Sequence, residues 1–151
     1  MKTPVKAAGV AALFVSLSLC AASVQARDTT HYLSIKEAIE VAKSQGLGDD
    51  IKLYFGDQQY PPVEATLTKG ISTNKKTNAA NKTDQVACNW AMHSALLQLQ
   101  LAARNMGGNA VVNIESYYKK NVFRSKDQFE CHAGGIMAGV ALRGDVVRLK
   151  Q

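Results

Sequence analysis

The chain has 151 residues, 46% of them hydrophobic, and carries 18 Lys and Arg against 12 Asp and Glu for a formal net charge of +6. That length suits one domain around a modest core rather than a multidomain assembly. The positive balance falls short of a nucleic-acid-binding stripe, and it matches contact with anionic envelope polymers as well as plain solubility.

Residues 1–26 read as a secretory signal peptide. Lys2 and Lys6 supply a positive start, Ala7 to Ala22 is an uncharged apolar run, and Val24-Gln25-Ala26 places small residues before Arg27, so cleavage is expected after Ala26. The run is short for a bilayer span. Cys20 raises a lipoprotein reading, which bulky Leu19 disfavours. The periplasm is therefore the expected location, ahead of an outer-membrane anchor through Cys20. Removal of the leader leaves a single α+β domain, residues 27–151, with sixteen basic and twelve acidic residues and a net charge of about +4. No later segment reaches bilayer length, and no transmembrane segment is expected in the mature chain.

In chain order, residues 27–33 read as a loose lead-in. Ser34 with Glu37 is a capping-box pattern opening a helix through about Gln45, with Ile35, Ala38, Ile39 and Ala42 inward and Gly46 as its stop. Ile51 to Phe55 alternates as a half-buried strand, and Val63 to Thr68 as another after the stiff Tyr60-Pro61-Pro62. Gly70 to Lys82, polar and basic, reads as a long surface loop. The longest helix spans about Asp84 to Asn105. Its expected inward stripe is Cys88, Met92, Ala95, Leu99, Ala102, Ala103 and Met106, widened by Trp90, Leu97 and Leu101, with Asn89, His93, Gln100 and Arg104 on the polar side. Gly107-Gly108 stops it, the first glycine as a left-handed cap. Ala110 to Ile114 is a strand continuing toward Tyr118, Lys119 to Gln128 a charged turn, and Phe129 to Cys131 the start of a further strand. Ile136 to Leu142 and Val146 to Leu149 close the fold as one or two strands around Arg143-Gly144-Asp145. The expected order is α-β-β-α-β-β-β: an α+β fold whose largely antiparallel sheet has one long helix packed on a face.

Cys88 and Cys131 survive processing. In an oxidising compartment an even pair is most simply one disulfide, closing a loop of about 44 residues and contributing about 4 kcal/mol on the chain-entropy estimate.

The run Ala102 to Val112, in which a helix ending in Gly107-Gly108-Asn109-Ala110-Val111-Val112 passes directly into a strand, resembles the small bacterial YbjQ-like proteins and the related Rcs stress-sensing outer-membrane lipoprotein. The similarity continues through Cys131 to Leu142 and covers roughly residues 50–150. In the Rcs lipoprotein, cysteines likewise stand just before the last strand and near the start of the helix. That protein has four cysteines and a lipidation site, so its signalling role is not carried over. The resemblance implies an α+β fold and leaves a homo-oligomer open. Similar exported proteins also carry an excinuclease ATPase label, but this chain has no Gly-x-x-x-x-Gly-Lys-Ser/Thr loop for phosphates.

Cys88, Cys131 and a histidine, His93 or His132, are the alternative reading as a metal site. Residues 88 and 93 diverge around a helix, and His132 points away from Cys131 in an extended segment. No cofactor, metal site or catalytic residue is assigned, and a non-enzyme is expected. The leading expectation is a non-catalytic binding module of the cell envelope. It would engage a protein or anionic polymer, not nucleic acid, through two basic loops: Lys69, Lys75, Lys76 and Lys82 in the first, and Lys119, Lys120, Arg124 and Lys126 in the second.

Overall fold

A computed structural model describes residues 26–151; the signal-peptide reading, Cys20 included, falls almost wholly outside them. The described chain is α+β, and its order is β1 (Thr29–Ser34), α1 (Ile35–Ser44), β2 (Lys52–Phe55), β3 (Val63–Asn78), α2 (Asp84–Asn105), β4 (Ala110–Ser116), a single 3-10 turn (Tyr118–Lys120), β5 (Gln128–Ala133) and β6 (Met137–Leu149).

The helices begin and end on local chemistry. Ser34 Oγ accepts from the Glu37 backbone N–H at 3.2 Å, and Thr83 Oγ1 accepts from Val86 N–H at 3.3 Å, so each cap satisfies one orphan donor. After α2, Gly108 N–H reaches Ala103 O (2.8 Å) and Gly107 N–H reaches Arg104 O (3.0 Å), with Gly107 at φ +75°. That is a Schellman close with the left-handed glycine where the sequence places it. Gly108 must be glycine for another reason. A Cβ there would lie 2.7 Å from Val146 Cγ1 and 2.9 Å from Val147 O.

The sheet runs β1-β5-β6-β4-β2, and β3 lies along the other edge of β6. It is largely but not purely antiparallel: β2 and β4 are parallel, while the remaining pairs are antiparallel, which makes the sheet mixed. Three expectations are corrected. Residues 29–34 are not a lead-in but β1, paired with β5 from Thr29↔Ala133 to Ser34↔Gln128. Most of the supposed loop 70–82 is β3, in unbroken register from Ile71↔Gly144 to Asn78↔Met137. The segments on either side of Arg143-Gly144-Asp145 are one strand, β6.

α2 packs across β3 and β6 on one face, and α1 packs beside it. Phe55, Met92, Leu96, Leu99, Ile114, Phe129 and Leu142 form the heart of this core. On the far face a smaller cluster of Ala110, Val112, Val147 and Leu149 sits against Tyr54 and Tyr60, whose rings are 5.6 Å apart. Cys88, Met92, Ala95, Leu99 and Ala103 of α2 face inward as expected, but the flanks of the helix differ. Trp90, Leu97, Leu101 and Met106 are exposed, whereas His93 and Gln100 are buried. Ala87, Ala91, Ala95 and Ala103 face inward, and such small side chains let a helix lie close on a sheet where Trp and Leu would hold it off.

Candidate functional site

Cys88 on α2 and Cys131 on β5 form a disulfide, both wholly buried, with Cα atoms 5.9 Å apart. Neither sulfur is a thiolate in this state, and thiolate is the form a metal needs. Among the described residues, no group of three or more His, Cys, Asp and Glu is arranged to hold a metal ion. His132 projects away from the core beside Cys131. Its Nε2 faces Glu130 Oε1 (2.9 Å), its Nδ1 faces Asp28 Oδ1 (3.1 Å), and the Tyr118 ring stacks on it at 3.5 Å. His93 lies on α2 near Trp90, with its buried Nε2 unpartnered; burial holds its pKa below the usual imidazole value.

The eight basic residues singled out as a binding surface divide into two chemical groups. Lys119, Arg124 and Lys126 are matched by carboxylates: Lys119 by Asp28 (3.9 Å), Arg124 by Asp57 (2.9 Å) and Glu115 (3.5 Å), and Lys126 by Asp127 (3.8 Å). Lys69, Lys75, Lys76, Lys82 and Lys120 have no ion-pair partner among the described residues. Four of these five belong to β3 or the turn after it. Lys75 Nζ donates to Gln98 Oε1 on α2 (3.1 Å), and Lys82 Nζ to Asn78 O (3.3 Å). Lys76 lines a recess with Tyr118 and His132 on the far face. The edge of β3 away from β6 has no strand neighbour among the described residues.

The far face also holds a polar groove of about 510 Å³ that joins Lys69 to Arg124. Sequence reasoning passed over its centre. Arg143 donates through Nε to Glu115 Oε1 (3.0 Å), its cross-strand partner on β4, and its guanidinium lies 4.2 Å over the Tyr117 ring. Arg124 donates to Gly56 O (2.6 Å) and to Asp57 Oδ1 (3.0 Å). These contacts raise both arginines above their ordinary pKa, chiefly through the hydrogen bonds to Asp57 and Glu115. Asp145 accepts from Gly70 N–H (2.9 Å) and from Asn113 Nδ2 (3.0 Å), pinning β3 and β4 to β6. Asn113 sits at φ +54° where the β4–β6 register slips between Val112 and Glu115, a bulge that turns polar side chains into the groove. Two signals were legible: Asn113 interrupting Val111-Val112-Asn113-Ile114, and Gly144 within a strand, where a Cβ would lie 2.8 Å from Val111 Cγ1.

No protein-family model matches the chain, and no curated protein matches it in sequence. What the protein does has to be read from its own residues. In the described part these make an α+β domain with a lysine-bearing sheet edge beside an arginine groove, and no helix in it is long and apolar enough to cross a membrane.

Proposed function

We propose that this is a non-catalytic, exported binding module of the cell envelope that takes an acidic, extended segment of a partner protein along β3. The leader, cleaved after Ala26, delivers it to the periplasm, where the Cys88–Cys131 disulfide forms. The reading is carried by Lys69, Lys75, Lys76 and Lys82, which bring uncompensated positive charge to a sheet edge with eight residues in regular register. An added strand draws affinity from backbone hydrogen bonds and specificity from its side chains. Each exposed lysine–carboxylate contact contributes only about 0.2–1 kcal/mol, so the lysines chiefly select and steer. They also repel the same edge of another copy, the usual use of lysine on open strands.

Fluorescence anisotropy with a labelled, alternating Glu-Val peptide tests this directly. Binding is expected to weaken between 50 and 300 mM salt, roughly as screening predicts, and to be lost in the Lys75→Glu/Lys76→Glu double variant. Affinity indifferent to both salt and charge reversal overturns the proposal.

A further inference from the structure

The outer side of α2 carries a second surface, independent of the lysine edge. Between Asp84 and Arg104 the helix has no Asp, Glu, Lys or Arg. Val86, Trp90, Leu97 and Leu101 project outward there, 45%, 45%, 38% and 47% exposed. At 100° per residue these four fall within about 60° of arc, as a stripe about 22 Å long. A contiguous apolar stripe of this kind marks a contact surface more often than scattered exposed residues do.

We infer that the stripe is a self-association surface, covered by α2 of a second copy lying antiparallel across a twofold axis near Ser94. The spacing is self-complementary. With the axis between His93 and Ser94, Val86 of one copy lies opposite Leu101 of the other, and Trp90 opposite Leu97. Ser94 is a small residue at the crossing point, its hydroxyl already bonded to Trp90 O (3.1 Å). Such a surface meets its own copy in an isologous contact, as a twofold requires.

The charged ends fit the same arrangement. By the same arc Asp84 points about 130° away from the stripe and is held by Arg27 (2.6 Å), while Arg104, at the stripe's edge, is held by Asp50 (2.6 Å), so neither end presents an unmatched charge to the contact. Helix dipoles favour the antiparallel orientation. The β3 lysines oppose the competing edge-to-edge contact between two copies, leaving α2 as the apolar route. The stripe is small beside a permanent interface, so the dimer is expected to dissociate near micromolar concentration.

Sedimentation equilibrium on the disulfide-intact protein recovered from an exporting host tests the inference. The expected mass rises from one chain to two with concentration. Leu97→Glu, at an exposed position, weakens association more than about tenfold and leaves the thermal midpoint of the dilute protein unchanged. Ser94→Cys forms a symmetric intermolecular disulfide on a non-reducing gel, while Gln85→Cys, far from the axis, does not. A one-chain mass at every concentration overturns it, whether residues 7–22 of an unprocessed chain or another protein then covers the stripe. A dimer indifferent to Leu97→Glu, or a Ser94→Cys variant that fails to cross-link, overturns it too.

Discussion

Cys88, in the second turn of α2, is bonded to Cys131 in the middle of β5, so one covalent link spans 43 residues and joins the helix layer to the sheet. Closing a loop of that length restricts the unfolded chain by about 4 kcal/mol, an upper figure if the native geometry is strained. The Cys88→Ala/Cys131→Ala variant is therefore expected to lower unfolding free energy in urea by about 2–4 kcal/mol. Thiol titration of the leader-free, denatured and unreduced protein should find no free thiol. Two free thiols would instead favour the metal reading with Cys88, Cys131 and a histidine.

Asn113 holds a left-handed backbone at φ +54° while its side chain bonds Asp145. Replacing it with alanine removes the bond and places a Cβ where L-residues are strained; glycine removes only the bond. Asn113→Ala is expected to destabilise by about 1–2 kcal/mol more than Asn113→Gly. Equal losses in chemical denaturation would mean that the backbone strain at the bulge is negligible.

Gln100 is fully buried and donates to Gly48 O (2.7 Å) and Ile51 O (3.1 Å), while Arg104 donates to its Oε1 (3.2 Å). One amide thus fastens the segment before β2 to α2. Gln100→Leu keeps the volume but orphans those carbonyls, at a cost of about 1–3 kcal/mol. Hydrogen exchange at residues 48–52 should quicken before the sheet does; uniform protection in the variant would show the amide to be dispensable.

Asp50 accepts two hydrogen bonds from Arg104, which hold its carboxyl at about 2 against a usual 3.8. A carboxylate depressed in the folded state adds stability above its unfolded pKa and loses it as pH falls through the folded one. That contribution is therefore full above about pH 4 and disappears toward pH 2. Asp84, lowered chiefly by its bond to Arg27, adds to the same acid limb. The Asp50→Asn/Asp84→Asn variant should show a flatter decline of thermal midpoint between pH 4 and 2. An unchanged slope would mean these pairs do not couple to folding.

The sequence marked the helix boundaries through chemistry that acts locally. Ser34, Thr83 and Gly107 each do what their residue type does at a terminus, and Ser34 and Gly107 lie where they were expected. β1 and the part of β3 beyond Thr68 were hidden because, Leu33 and Ile71 apart, their inward positions are not apolar. Along β3 the less exposed residues from Ile71 onward are Ile71, Thr73, Lys75 and Thr77, an alternation visible in burial but masked by hydroxyls and an ammonium group. β-branched threonine was the surviving signal. On α2 the difficulty was the reverse. Periodicity placed the central stripe of Cys88, Met92, Ala95, Leu99 and Ala103, but alanine and leucine occur around the whole circumference, so it did not settle the flanks, where Trp90, Leu97 and Leu101 are exposed and His93 and Gln100 buried. The arginine groove depends on Glu115 and Arg143 meeting across strands 28 residues apart, a register that no short motif encodes.

β6 comes last among the elements, yet β3, β4 and β5 all hydrogen-bond to it. Until residues 137–149 are present, those three strands have no common neighbour and the layers cannot knit together. A chain threaded amino end first through a narrow translocation channel would therefore keep its sheet unassembled until nearly all of it had crossed. The position of one strand thus delays closure of the sheet until the last residues are free to pair.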